Sequence, residues 1–213
     1  AKTNNKSKVS IKSGIKDYVN AYKAFADIGS YTTINISCPN AYGGQPFAHA
    51  KNLDLLLKEI IKIKSKKPMF IKISPDLTKK SVDAIIEIAK KYKIAGFICS
   101  NLTKNRDLKN IFENNLQKDG GMSGKIVEDL ANELIYYIYK KTKGEFIIIG
   151  VGGIFNAEDA YKKIKLGASL VQLITGMIFE GPQLISEINQ GLVNLLKRDG
   201  FSNISEAVGS SLR

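Results

Sequence analysis

Apolar residues recur along the chain with two periodicities that alternate with each other. Spacings of three and four residues, as in Ile15, Tyr18 and Tyr22, predict helices. Short apolar runs that stop at Gly, Pro or Asn predict strands. The predicted helices cover residues 14–27, 53–64, 79–92, 126–140, 157–166 and 182–196. The predicted strands have the sequences YTTINISC, MFIKIS, AGFICSN, EFIIIGVGG and SLVQLITG.

Near-continuous apolar strands separated by helices indicate an α/β fold with a parallel sheet buried on both faces, which excludes a β-sandwich and a helical bundle. Two architectures remain, an open doubly wound sheet and part of a (β/α)8 TIM barrel. The last two strands end in Gly150 to Gly153 and in Thr175-Gly176, whose backbone N–H groups suit a phosphate. Phosphates usually bind after strands seven and eight of a barrel. The dinucleotide pattern G-x-G-x-x-G fails, because Phe155 stands at its last position.

This assignment makes the strand that ends in Cys38 the fourth strand of the barrel. A complete barrel needs about 250 residues, whereas this chain has 213. We therefore expect residues 1–213 to form a single barrel domain that covers strands four to eight and is incomplete at its amino end.

A hydrophobic share of 44% with 24% charged residues is an ordinary globular composition. The net charge of +12 arises mostly from Lys on predicted helix surfaces, which is typical of solvated faces. Nucleic acid, an anionic membrane surface and anionic small ligands remain as partners to weigh. The two cysteines lack the spacing of a disulfide framework or a zinc site, which favours a reduced, cytoplasmic setting without a metal. No apolar run reaches the length of a membrane span.

Polar groups crowd the end of the first strand, in the sequence INISCPN. Asn35, Cys38 and Asn40 offer amide and thiol groups, and Pro39 stops the strand so that they stand at its carboxyl end. Ligands bind at that end in parallel α/β folds. Cys38 is a candidate base here, although a small buried hydrophobe is the commoner role of cysteine. Lys72 interrupts the apolar strand FIKIS, and because an unpaired buried Lys is costly, a ligand contact is favoured over a structural ion pair.

Six motifs, in this order and spacing, resemble dihydroorotate dehydrogenase: INISCPN, FIKISPDL, the strand end Ser100-Asn101, GGMSG, IIGVGGI and GASLVQLITGMIFEGPQLISEI. The likeness covers almost the whole chain. GGMSG and the last motif look closer to the quinone-linked class 2 enzymes than to the soluble class 1 enzymes. Cys38 departs from that pattern, because class 2 enzymes usually carry Ser as the catalytic base and Cys is the class 1 residue. Leu102 also departs, since the family usually has a Thr substrate contact there.

The resemblance implies an FMN-containing barrel that oxidises dihydroorotate to orotate in pyrimidine biosynthesis. It implies that Cys38 removes a proton from C5 while hydride passes from C6 to flavin N5. The implied substrate ligands are Asn35, Asn40 and Asn101. The implied FMN contacts are Asn35, Lys72, Ser100, Gly124, Gly152, Gly153, Ile174, Thr175 and Gly176.

The same resemblance implies a quinone as electron acceptor, although fumarate and NAD stay open, because acceptor specificity is set largely by segments outside these motifs. It also implies no nucleic acid partner, and peripheral contact with the inner face of the cell membrane through segments outside this chain. Without the upstream strands we expect the chain alone to bind FMN weakly or not at all. Two alternatives stay open. The tRNA dihydrouridine synthases also place Cys-Pro at a strand end, and an RNA partner would account for the basic charge, although NAYGGQPF does not fit that family. The second alternative is a non-catalytic half-barrel that binds a partner through the edge strand YTTINIS.

Overall fold

The computed structural model describes residues 10–38, 45–108, 111 and 119–212. Its strands are β1 (Thr32–Asn35), β2 (Met69–Ile73), β3 (Gly96–Cys99), β4 (Ile147–Val151) and β5 (Leu170–Gln172). Its helices are α1 (Ile11–Phe25), α2 (Ala50–Ile60), α3 (Lys79–Lys91), α4 (Glu128–Thr142), α5 (Ala157–Lys165), α6 (Thr175–Glu180), α7 (Leu184–Asp199) and α8 (Ile204–Ala207). Short 3-10 turns cover Pro46–Ala48, Gly124–Val127 and Ser210–Leu212. Every predicted strand and helix is present, so the expected α/β class is confirmed.

Several element boundaries shift by a few residues, and three differences have a clear physical cause. The first strand ends at Asn35 instead of Cys38, because the Asn35 Oδ1 accepts hydrogen bonds from the Ser37 N–H (3.1 Å) and hydroxyl (2.9 Å). This local turn takes the place of further pairing with β2. The short helices α6 and α8 were not predicted. The run that leads into α6 is apolar and β-branched and therefore resembles a strand, and α8 has only 4 residues, too few for a helical period.

All five strands are parallel and lie in the order β1-β2-β3-β4-β5. Each crossover therefore steps to the next strand in the same direction, and right-handed crossovers then put the connecting helices on one side of the sheet. Neighbouring helices pack in the same sequence, α1 on α2, α2 on α3 and α4 on α5. A doubly wound sheet would reverse direction and carry helices on both faces. The observed winding is that of a barrel wall.

The main core lies between the sheet and its helices. Many of its side chains are fully removed from solvent, among them Leu53, Leu56, Ile71, Ile73, Ile85, Ile135 and Ile148. Burial of each such side chain contributes about 1.5–3 kcal/mol. The opposite face of the sheet holds a smaller cluster of Phe70, Ile98 and Ile149.

The expectation of a sheet buried on both faces is wrong at its two edges. Leu170 in β5 is 58% exposed, and Tyr31, directly before β1, is 41% exposed. Within the described residues β1 and β5 each pair on one side only, so one hydrogen-bonding edge of each strand lacks a neighbouring strand. The Gln172 amide donates a hydrogen bond to the Tyr31 hydroxyl at 3.0 Å, which joins the two edges across the opening.

Asn156 caps α5 as the sequence predicts: its Oδ1 accepts a hydrogen bond from the Asp159 N–H at 2.8 Å. The Asp159 carboxylate in turn accepts from the Phe155 N–H at 2.9 Å. These two bonds fix the glycine-bearing loop between β4 and α5. In the part of the chain that the structure describes, no helix combines the length and apolar character needed to cross a bilayer.

Candidate active site

An open cavity of about 240 Å³ lies at the carboxyl ends of β2 to β5. Parallel barrels bind ligands at this edge. Ordinary ligand pockets measure about 300–1,000 Å³, so the cavity suits part of a nucleotide-sized ligand. Its lining residues are Lys72, Ser100, Asn101, Leu102, Ser123, Gly124, Val127, Val151, Gly152, Gly153, Ile154, Leu173, Ile174, Thr175 and Gly176.

This lining contains most of the contacts expected from the sequence. The predicted residues that it brings together are Lys72, Ser100, Asn101, Gly124, Gly152, Gly153, Ile174, Thr175 and Gly176. They belong to separate segments of the sequence and meet because the carboxyl ends of parallel strands share one edge of the sheet. Their roles as ligand contacts stay predictions.

One wall of the cavity consists of glycine backbone. Gly153 has φ +72°, and a Cβ at this position would overlap the Glu128 side chain. At Gly152, with φ +117°, a Cβ would lie 2.8 Å from Val127. Both positions therefore require glycine for backbone conformation and for close packing onto α4. As a result, main-chain groups instead of side chains line this wall, as a phosphate cradle needs.

Hydroxyl groups stand beside the glycine wall. The Thr175 hydroxyl, at the start of α6, donates a hydrogen bond to the Ser123 hydroxyl at 3.0 Å. A Cβ on Gly124 would lie 3.0 Å from the Thr175 methyl group, so the two segments that carry these hydroxyls are in contact. This corner offers neutral hydrogen-bond donors without a charged side chain among the lining residues next to it.

Lys72 supplies the positive charge of the cavity. It lies in β2, in register with Asn35 on β1 and Ile98 on β3, and its side chain is half-buried. Burial lowers the pKa of its ammonium group. None of the described residues forms an ion pair with it. An anionic ligand in the cavity would offset this desolvation.

Ser100 and Asn101 directly follow β3, and both line the cavity. Ser100 is buried, and its hydroxyl donates to the Asn101 carbonyl oxygen at 3.0 Å. The Asn101 amide donates to the carbonyl oxygen of Ser37, the residue directly before Cys38. Asn101 therefore connects the cavity to the turn that carries the candidate base.

Two predicted residues, Asn35 and Cys38, are not among the residues that line the cavity. Cys38 is half-buried and lies just beyond the carboxyl end of β1, at the same edge of the sheet. Asn35 is exposed, and its Oδ1 is bonded to Ser37, because β1 is an edge strand in the described part of the chain. Asn40 lies outside the described residues.

Sequence reasoning missed two kinds of residue near the site. The apolar lining residues Val127, Ile154 and Leu173 read as ordinary core positions. Lys163, in α5, is fully buried with its amine 2.7 Å from the Asn132 Oδ1, although it belongs to a Lys-Lys-x-Lys run that resembles a solvated face. The sequence offered one signal for this burial: Lys163 follows the apolar residue Ala160 by three positions and therefore lies on the same face of the helix.

Comparison with known proteins identifies the family. The family model for dihydroorotate dehydrogenase matches residues 3–196. A dihydroorotate dehydrogenase (quinone) from Crocosphaera subtropica is 44% identical over 212 residues, which are 96% of this chain and 56% of that protein. The enzyme of the same name from Nostoc punctiforme is 40% identical over 216 residues, 98% of this chain and 57% of its own length.

A solved structure agrees with the sequence comparison. The crystal structure of DHODH from Eimeria tenella in complex with ferulenol superposes with a TM-score of 0.87 and 27% sequence identity, covering 93% of this chain and 58% of that chain. The chain thus spans little more than half the length of the relatives that it matches. With its five-stranded barrel wall and its match to the family model, the chain belongs to the dihydroorotate dehydrogenase family.

Proposed function

We propose that the protein containing these residues oxidises dihydroorotate to orotate with FMN as cofactor and a quinone as electron acceptor, in pyrimidine biosynthesis. The observation that carries this proposal is one cavity that combines a desolvated lysine, the strand-end amide of Asn101, hydroxyl groups and a glycine wall. The match to the dihydroorotate dehydrogenase model favours this family over the tRNA dihydrouridine synthases.

The lining residues fit FMN at both ends of the molecule. Gly152 and Gly153 leave main-chain N–H groups beside the Thr175 hydroxyl, which suits the phosphate end. Lys72 lines the same cavity. A positive charge there suits the negative charge that reduction builds near N1 and O2 of a flavin. When bound there, FMN supplies the hydride acceptor.

Cys38 acts as the base in this proposal. Oxidation of dihydroorotate removes a hydride from C6 and a proton from C5, and the Cys38 Sγ takes that proton. The Sγ can take that proton only as a thiolate, which is the basic form of a thiol. Asn101, which bonds to the carbonyl oxygen of the preceding residue, fixes the position of Cys38 and stands where its amide can also meet the substrate ring.

An apolar surface next to the cavity suits the electron acceptor. Ile174 lines the cavity and is exposed, and Ile178 and Phe179 on α6 are 70% and 76% exposed. Such a cluster of large apolar side chains marks a binding surface. We assign it to the quinone, in line with the names of the relatives.

The test measures FMN binding and orotate formation by the full-length protein, with a quinone analogue as acceptor. The proposal expects FMN-dependent orotate formation that Lys72→Met abolishes or strongly reduces. Lys79→Met, a change at an exposed lysine on α3, is the matched control and should keep full activity. A full-length protein that binds neither FMN nor dihydroorotate would instead support the non-catalytic half-barrel.

A further inference from the structure

Tyr18, on α1, touches the chain on both sides of the segment that carries Cys38. Its hydroxyl donates a hydrogen bond to the Asn35 carbonyl oxygen at 2.6 Å, at the end of β1. Its ring packs edge-on against Phe47, with ring centroids 5.2 Å apart and an interplanar angle of 73°. Phe47 is buried in the 3-10 turn that follows this segment. The side chain of Tyr18 therefore contacts the chain both before and after the segment that carries Cys38.

The backbone before Cys38 has two further side-chain partners. The Gln45 amide donates to the Ser37 carbonyl oxygen at 3.2 Å, and the Asn101 amide donates to the same oxygen. Ser37 itself is fully buried. Tyr18 is the partner that approaches from the helix layer, whereas Asn101 approaches from the cavity.

The electrostatics of Tyr18 also involve Cys38. Burial, together with the negative charges of Cys38 and Asp17, raises the pKa of the Tyr18 hydroxyl to about 12. The hydroxyl therefore stays protonated throughout the range in which a thiol ionises, and it remains a hydrogen-bond donor.

We propose that Tyr18 is a positioning residue for Cys38: it holds both ends of the Cys38 segment and sets the reactivity of the thiol. The inference adds to the proposed function, because it concerns the residue that serves there as base. It does not depend on the reaction, since the reactivity of a thiol can be measured without substrate or flavin.

Alkylation with iodoacetamide, followed at each cysteine by mass spectrometry, tests the proposal. Cys99 is fully buried and serves as an internal control for global unfolding. Tyr18→Phe removes only the hydroxyl, and the loss of one hydrogen bond corresponds to roughly a fivefold change in a local opening equilibrium. We expect Cys38 in Tyr18→Phe to be alkylated about fivefold faster, while Cys99 stays protected.

Amide hydrogen exchange separates a local effect on this segment from a general loss of stability. Tyr18→Phe should speed exchange in the peptide that carries Ser37 and Cys38, whereas peptides from β2 and β3 should keep the wild-type rates. Equal acceleration in all of these peptides would overturn the positioning role. Unchanged alkylation of Cys38, or equal acceleration at Cys38 and Cys99, would overturn the proposal as a whole.

Two further variants make the test specific. Tyr22→Phe changes another buried tyrosine one turn later on α1 and should leave the alkylation of Cys38 as in the wild type. Phe47→Leu removes the ring contact and should accelerate the alkylation of Cys38. When it is combined with Tyr18→Phe, the two effects on the alkylation rate should be less than additive. If Tyr18→Phe alters alkylation while Cys38→Ala still oxidises dihydroorotate, the positioning role stands and the base assignment fails.

Discussion

Replacement of Lys163 by Met should change how the stability of the protein depends on pH. Lys163 is fully buried between α4 and α5, and its amine bonds to the Asn132 Oδ1 at 2.7 Å. The Asn132 Nδ2 is itself buried without a hydrogen-bond partner. Burial lowers the pKa of Lys163 from 10.5 to about 8, although the carboxylates of Glu128 and Asp159 oppose this shift.

The magnitude follows from the difference between the folded and unfolded pKa values. The pKa falls from 10.5 to about 8 on folding, and at about 1.36 kcal/mol per unit this corresponds to about 3 kcal/mol. Above pH 10.5 the amine is neutral in both states. As the pH falls, the unfolded chain takes up the proton first, so stability decreases down to about pH 8 and is constant below it.

Urea unfolding of the wild type and of Lys163→Met, measured at a series of pH values, tests this reasoning. Other lysines and tyrosines titrate in the same range, so the difference between the two proteins is the informative quantity. We expect the wild type to gain about 3 kcal/mol relative to Lys163→Met as the pH rises from 8 to 10.5. Lys162→Met, which changes an exposed neighbour, should show no such gain. A difference that stays flat, or that favours the wild type at low pH, would refute the burial argument.

Three other changes test separate parts of the structure. Gly153→Ala should destabilise the protein by about 1–3 kcal/mol and weaken FMN binding in a fluorescence titration. The reason is that a Cβ at this left-handed φ would overlap Glu128. The control Gly200→Ala, with φ +78° and open space around it, should keep wild-type FMN binding. Asn156→Ala should lower the free energy of unfolding in urea by about 1 kcal/mol, because the N-cap of α5 is lost. An unchanged unfolding midpoint would contradict a stabilising role of this cap. Phe179→Ser should slow quinone reduction in steady-state assays without slowing flavin reduction by dihydroorotate; loss of both would contradict the assigned surface.

Much of the fold could be predicted because two physical signals agree along the chain. Helical periodicity and short apolar strands alternate from α1 to β5, and a parallel sheet is the arrangement that buries such strands. The same logic predicted the cavity: Lys72, Ser100 and Gly152 lie far apart in sequence, but each stands at a strand end, and in a parallel sheet strand ends meet.

The features that were not predicted depend on tertiary context. The side chain of Asn35 forms a hydrogen bond with Ser37 and does not line the cavity, because an edge strand leaves room for a local turn. Lys163 belongs to a run of lysines, and only the packing of α5 against α4 decides that this one points inward. The role inferred for Tyr18 likewise needs the distance from its hydroxyl to a carbonyl oxygen 17 residues away.

Anaerobic flavin reduction tests the central claim most directly. Dihydroorotate is added to the FMN-loaded full-length protein without an acceptor, and the bleaching of flavin absorbance is followed in the wild type and in Cys38→Ala. The account predicts rapid bleaching in the wild type and a loss of at least about 10²-fold in Cys38→Ala, with FMN still bound in both. Equal bleaching rates in the two proteins, or none in the wild type, would contradict it.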